Sequence, residues 1–195
     1  MSIRTLLLDA GGTIVFPSFR RIADEFARDG IAVDPDALER AEIRVRLEFD
    51  RPEVSAAGND RDRWVHFLQR LAEEAGLTSF PRAAFQRLKE YQDRFNLWEV
   101  VPPDVPAALD ALGQRWRLGV ISNANGTVRV LFDRLGLAGR FETIVDSHEE
   151  GVEKPDPRIF RVALERMGIR PEETAYVGDI YHVDDHVIPG RSGAF

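Results

Sequence analysis

Leu6-Leu7-Leu8-Asp9-Ala10-Gly11-Gly12-Thr13 decides how this chain is read. Three consecutive leucines, with Ile3 before them and Ile14-Val15 after, make a short apolar run interrupted by a glycine pair. Such a run predicts a strand buried on both faces and ended by a turn. The residue that follows the leucines is a carboxylate, and the two glycines are followed by the hydroxyl of Thr13. In open α/β sheets, ligands bind outside the carboxyl ends of the strands. A buried strand that delivers Asp9 to its own C-terminal edge suits that fold. An N-terminal strand with a Gly-Gly turn and a solvated aspartate is the plainer reading of the same residues, and the rest of the chain decides between them.

Downstream, the pattern first turns helical. Pro17-Ser18 opens a helix with Phe19, Ile22, Ala23 and Phe26 on one face, ended by Gly30. Asp34-Pro35 starts a second helix reaching about Phe49, with Leu38, Ala41, Val45 and Phe49 as its stripe. Residues 51–60 read as a loop. Asp60 starts a third helix carrying Trp64, Phe67, Leu68 and Leu71, and a fourth runs from Pro81 to Phe95 with Phe85, Leu88 and Phe95 inward. No strand signal falls between 17 and 98. Beyond Val101, strands return. Leu118–Asn123, Phe141–Asp146 and Thr174–Asp179 alternate with helical segments over 104–112, 127–135 and 157–167. Strands alternating with helices predict a doubly wound parallel sheet of the α/β class. The expected organisation is a core from residues 1–16 and 99–195, with an all-helical insert over 17–98.

Composition narrows the function classes. The 195 residues are 44% hydrophobic and 30% charged, enough for an ordinary core. A net charge of -7 argues against non-specific binding to nucleic acid or an anionic membrane. The absence of cysteine removes disulfides, thiol catalysis and thiolate metal sites. No run approaches the length of a membrane helix, and Asp9 breaks the apolar N-terminal stretch. A soluble cytoplasmic protein is therefore the expectation. Of 26 basic residues only Lys89 and Lys154 are lysine. In so arginine-rich a chain a loop lysine stands out, because a compact ammonium and a guanidinium are not interchangeable.

If the strands are parallel, one sheet edge gathers Asp9 and Thr13, Ser122 and Asn123, Lys154, and Asp179 with Asp184. Oxygen ligands suit a hard cation such as magnesium. Hydroxyl and backbone donors suit phosphoryl oxygens, and an aspartate can attack phosphorus.

These residues resemble the haloacid dehalogenase superfamily, in the form that carries a helical cap after its first motif. The resemblance rests on four stretches in order: Asp9-Ala10-Gly11-Gly12-Thr13, Val120-Ile121-Ser122-Asn123, Lys154-Pro155, and Tyr176-Val177-Gly178-Asp179 with Asp184 five residues on. It implies Asp9 as nucleophile and magnesium ligand, the Gly11 carbonyl as a further ligand, and Asp179 and Asp184 completing the metal site. It implies Lys154 as the cation that neutralises Asp9 and the phosphate. Thr13, Ser122 and Asn123 would line the phosphate site. The substrate implied is a small phosphorylated metabolite, hydrolysed through an aspartyl phosphate.

Two departures qualify this expectation. Phosphatases of the family usually carry a second aspartate two residues after the nucleophile, which protonates the leaving oxygen and then activates water. Here that residue is Gly11, and a missing general acid or base costs about 10²–10⁴ in rate. A slow phosphatase, a metal-independent dehalogenase in which Asp9 attacks carbon, and a non-catalytic binding protein all remain open at this stage. The retained acids favour the metal-dependent reading. Lys89 reads as a solvated helix residue, and His182 is a candidate substitute acid. In the cap, Arg20, Arg21, Arg44, Arg51 and Trp64 are candidates for substrate contacts. After Asp184 the sequence does not show the glycine-alanine helix and final strand that the family pattern expects, which predicts a disordered or displaced tail, or an intermolecular contact, over 185–195.

Overall fold

The computed structural model describes residues 2–51, 60–77 and 81–184. Its strands are β1 (Thr5–Leu8), β2 (Phe16–Pro17), β3 (Trp98–Val100), β4 (Arg117–Ser122), β5 (Thr143–Asp146) and β6 (Thr174–Val177). Its helices are α1 (Phe19–Ala27), α2 (Pro35–Phe49), α3 (Asp60–Glu74), α4 (Arg82–Phe95), α5 (Val105–Gly113), α6 (Val128–Arg134), α7 (Ser147–Glu150), α8 (Pro157–Met167) and α9 (Tyr181–Asp184). The chain forms two compact units: Met1–Pro17 with Trp98–Phe195, and Ser18–Leu97.

The first unit is built on a four-stranded parallel sheet in the order β5-β4-β1-β6. Its strands are short and apolar because both faces are covered, as parallel sheets require. Side chains alternate across the pleat. Leu7, Ile121 and Val145 pack on one face against Ile159, Phe160, Ala163 and Met167 of α8. Leu8, Leu118, Val120 and Ile144 pack on the other with Leu109 of α5 and Leu131 and Phe132 of α6. Helices on both faces make the sheet doubly wound. Gly119 lies on the α8 side, where a Cβ would meet Leu7 Cδ2 at 2.8 Å and Met167 Sδ at 3.0 Å. Its missing side chain lets that helix pack close. Asp156 caps α8, its Oδ1 accepting from Arg158 N at 2.9 Å, with Pro157 at the first helical position.

The second unit is helical. Ile22, Phe26, Leu38, Ala41, Val45, Leu68, Leu71 and Leu88 form its buried interior. Asp29 ties its helices together: Oδ2 accepts from Ala84 N at the start of α4, and Oδ1 pairs with Arg87 at 3.1 Å. Phe95, expected inward, is 39% exposed and stacks beside Tyr91 with Arg94 over its ring. The helix turns it outward and a cation covers it instead of the core. Trp64 is buried against Phe85, so it belongs to the unit's interior. Arg44 is engaged by Glu74 at 2.9 Å, and Arg21 lies 3.7 Å over the Tyr91 ring. Lys89 pairs with Asp93 one turn on.

Two elements escape the periodicity of the sequence. β2 and β3 form a two-residue antiparallel ladder, Phe16 with Val100 and Pro17 with Trp98. Pro17 and Trp98, read from the sequence as ends of the helical insert, are strand residues of the first unit. α7 is a single turn capped by Asp146. Neither element is long enough to show a period. The expectation for residues 185–195 and the side chain of His182 lie outside the described residues. No helix among the described residues is long and apolar enough to cross a membrane.

Candidate active site

The register of the sheet brings the motifs to one edge. Leu8 pairs with Val120 on one side and with Val177 on the other. Asp9, Asn123 and Gly178-Asp179, which follow β1, β4 and β6, therefore gather with Ser122, the last residue of β4, at the C-terminal end of the sheet. Asp9 N continues the ladder by donating to Val177 O at 2.8 Å. The chain then turns sharply: Gly12 N donates to Val15 O, and Ile14 and Val15 N both donate to Ala10 O. The Gly11 carbonyl takes no part in these turn bonds.

Lys154 is the hub. It is 2% exposed, and its ammonium reaches Asp9 Oδ1 at 2.9 Å, Asp184 Oδ1 at 2.8 Å and the Tyr176 hydroxyl at 2.8 Å. An ammonium has three donors, and here three acceptors meet them. Burial alone would push this lysine towards its neutral form. Asp9, Tyr176 and Asp184 outweigh it and hold the pKa well above the ordinary lysine value. Asp9 shifts upward because it is buried, with Lys154 opposing and Asp184 adding to the rise. Burial also pushes Tyr176 well above the usual phenol value.

Two glycines let carboxylates approach the backbone. At Gly12, with φ of 74°, a Cβ would stand 2.0 Å from Asp179 Oδ2. At Gly178 it would stand 2.1 Å from Asp184 Oδ2. Asp184 Oδ2 in turn accepts from Ile180 N at 3.1 Å, closing its own helical turn. Asp9, Asp179 and Asp184 each bring one carboxylate oxygen to within 4.8 Å of the others. Three carboxylates against one ammonium leave a surplus of two negative charges, and the donors are all hard oxygens. That set fits a divalent cation of the magnesium type.

Asn123, expected beside the phosphate, grips the loop that carries Lys154. Its Nδ2 donates to Lys154 O at 2.9 Å and its Oδ1 accepts from Lys154 N at 2.7 Å. Both ends of the amide hold the backbone of the lysine. Ser122 closes β4 opposite Asp146 and is 4% exposed. Thr13 lies within the turn after Asp9, and among the described residues neither hydroxyl makes a side-chain hydrogen bond.

Four contributors carry little sequence signal. Tyr176 touches Lys154 and Asp184, the latter at 3.1 Å. Asp146 accepts from the backbone N–H of Gly126, Val128 and His148, and Ser147 Oγ exchanges bonds with Ala124 N and O. Together they shape the loop after β4. Trp98 lies over Gly11, where a Cβ would be 3.3 Å from Cδ1 and 3.5 Å from Nε1 of the indole. Only the motif position of Tyr176 hinted at a role, since the others depend on contacts distant in sequence.

Comparisons with known proteins agree with this architecture. The family model of haloacid dehalogenase-like hydrolases matches residues 3–184. The chain belongs to that family. It is 30% identical over 189 residues to a glyceraldehyde 3-phosphate phosphatase of Methanopyrus kandleri, covering 91% of this chain and 76% of the relative. It is 35% identical over 151 residues to a phosphoserine phosphatase of Thermus thermophilus, covering 76% and 58%. A magnesium-bound crystal structure of the putative HAD-hydrolase YfnB from Bacillus subtilis shares the fold at a TM-score of 0.65 and 19% identity, covering 94% of this chain and 83% of that one.

Proposed function

We propose that this protein is a magnesium-dependent phosphatase of small phosphorylated metabolites, working through an aspartyl phosphate on Asp9. The observation that carries the reading is the Lys154 ammonium 2.9 Å from Asp9 in the same cluster as Asp179 and Asp184. The three converging carboxylates favour a metal-dependent reaction over metal-independent attack on carbon. The phosphatase relatives support the choice of phosphorus.

In this reading Asp9, Asp179 and Asp184, with the Gly11 carbonyl, would hold magnesium. The bound cation supplies charge that offsets the carboxylates and the phosphate. Asp9 attacks phosphorus, and Lys154 keeps its carboxylate ionised and positioned. Thr13 and Ser122 offer hydroxyl donors at the strand edge for phosphoryl oxygens. Asn123 positions Lys154 through its backbone. Residues 18–97 serve as the cap, with substrate selection as their role.

The test is phosphate release from a panel of phosphorylated metabolites, with magnesium and with chelator, for the wild type and Asp9→Asn. Release that requires both magnesium and Asp9 supports the reading. Chelator-insensitive halide release from 2-haloacids would instead support the dehalogenase alternative, which Gly11 keeps open. Binding of phosphorylated ligands with neither reaction would indicate a non-catalytic member.

A further inference from the structure

We propose that Asp146 is a positioning residue for the phosphate half of the site. Together with Ser147 it fixes the backbone of the loop after β4, and through that loop the Ser122 hydroxyl and the grip of Asn123 on Lys154. The phosphate role of Ser122 comes from the reading above, and the inference rests on it.

Asp146 ends β5 in register with Ser122 at the end of β4. It is 2% exposed, and its carboxylate is met by backbone N–H groups. Oδ1 accepts from Gly126 and His148 at 3.0 Å each, and Oδ2 from Gly126 at 3.0 Å and Val128 at 3.3 Å. Capping α7 takes only the bond from His148. The other bonds cross from β5 to the loop after β4, 18 to 20 positions earlier in the chain. The N-cap of α6 is Thr127, whose hydroxyl donates to Asn125 Oδ1 at 2.6 Å. The first donor of that helix, Val128 N, is met instead by Asp146 from the neighbouring strand. Ser147 adds a second clasp: its Oγ accepts from Ala124 N at 3.0 Å and donates to Ala124 O at 3.2 Å. Ala124 follows Asn123, whose side chain holds the Lys154 backbone. Two consecutive side chains thus tie the loop at 124, 126 and 128, directly after the hydroxyl and the amide that serve the site.

The sheet order separates this device from the metal carboxylates. In the order β5-β4-β1-β6, Asp146 stands beside the loop of β4, whereas Asp9 follows β1, and Asp179 and Asp184 lie beyond β6. Neighbouring strands are about 4.8 Å apart, so three steps place β5 about 14 Å from β6. A fault at Asp146 therefore reaches the phosphate donors before the metal ligands. The acceptor capacity of the carboxylate is what holds the loop. It accepts at both oxygens, while the amide of asparagine offers one acceptor and one donor group. With its oxygen kept on Gly126 and His148, the amide nitrogen would face the Val128 N–H; turned over, it would face the His148 N–H. Asparagine keeps the shape and breaks the clasp.

The test is isothermal titration calorimetry with inorganic phosphate in magnesium buffer, beside titrations with magnesium alone followed by thermal shift, and kcat/KM for 4-nitrophenyl phosphate. Asp146→Asn is expected to weaken phosphate binding by about tenfold, the worth of one hydrogen bond to a charged group. It should lower kcat/KM by roughly 10- to 100-fold, the scale of a small misplacement, and leave the magnesium midpoint unchanged. Ser147→Ala removes the other clasp and should move phosphate affinity and kcat/KM in the same direction by less. Asp34→Ala removes a comparable carboxylate cap in the helical unit, where Oδ1 accepts from Asp36 N at 3.1 Å, and should leave both unchanged. A lower melting temperature with phosphate affinity and kcat/KM at wild-type values would make Asp146 a helix cap only and overturns the inference. A magnesium midpoint that moves as far as the phosphate affinity overturns it as well. Ser147→Ala decides the matter if Asp146→Asn does not fold. Wild type that binds phosphate but hydrolyses no phosphate ester removes the phosphatase reading, and the calorimetry of the variants still judges the inference. Wild type that binds no phosphate overturns both.

Discussion

Asn123 grips Lys154 by its backbone: the side-chain amide donates to the lysine carbonyl at 2.9 Å and accepts from its N–H at 2.7 Å. The residue therefore acts at one remove, by fixing where the ammonium emerges. Asn123→Ala is expected to lower kcat by roughly 10- to 100-fold, the scale on which small misplacements of a reacting group are felt. Leaving two polar backbone groups without partners should also cost about 1–3 kcal/mol of stability each where they are buried. Asn123→Asp keeps the acceptor and loses the donor, so it should fall between. Steady-state kinetics beside urea unfolding would check this, and an effect confined to KM would contradict the positioning role.

Tyr176 supplies the third acceptor of Lys154 and reaches Asp184. Tyr176→Phe leaves one ammonium N–H without a protein partner in a buried site. The expected result is a loss of about 1–3 kcal/mol in unfolding free energy and a fall in kcat, with the magnesium dependence of the rate little changed. A large shift in the magnesium midpoint would mean that Tyr176 acts through Asp184 and not through the lysine.

Gly12 and Gly178 are the residues against which two cluster carboxylates rest, with a Cβ falling 2.0 Å from Asp179 Oδ2 and 2.1 Å from Asp184 Oδ2. Gly12→Ala and Gly178→Ala should each displace a carboxylate and weaken magnesium activation. Gly30→Ala provides the comparison, since its φ of 77° is also left-handed but nothing lies within 4 Å of the added carbon. That variant should cost about 1–2 kcal/mol of backbone strain without moving the magnesium midpoint. Magnesium titrations followed by both activity and thermal shift would separate the two effects.

Glu42 is a buried carboxylate of the helical unit, 7% exposed and 3.3 Å from Arg46. Burial raises its pKa, Arg46 opposes the rise, and Glu39 adds to it. Its folded pKa therefore lies above its unfolded value. The stabilising contribution is fully present below the unfolded pKa and is lost as pH rises through the folded one. At neutral pH the ionised form is the strained one, so Glu42→Gln is expected to raise the melting temperature. The advantage should shrink as pH falls into the carboxylate range. A variant less stable than wild type at pH 7 would show that the Arg46 pair outweighs the cost of burial.

The limits of the sequence are clearest at Trp98 and Asn123. A tryptophan eighty-seven positions from Gly11 carries no local sign of contact with it, and only the β2–β3 ladder, too short for any period, brings the two together. Asn123 reads as a strand-end amide suited to substrate, and only the fold of the loop around Lys154 gives both ends of that amide a partner in the lysine backbone. Asp146 and Ser147 shape the loop after β4 for the same reason: their partners are distant in sequence.

What the sequence determined by itself was the alternation of apolar runs with amphipathic helices, and with it the doubly wound sheet, its helical insert and the order of the acids along its edge. Those follow from burial and periodicity, which are local and repeat along the chain. What only the tertiary structure decided was the division of labour at that edge. Lys154 meets three acceptors, Asn123 holds its backbone, and Trp98 lies over Gly11. Hydrogen-bond direction and close packing are settled at ångström distances between residues far apart in sequence, and composition and spacing do not encode distances of that kind.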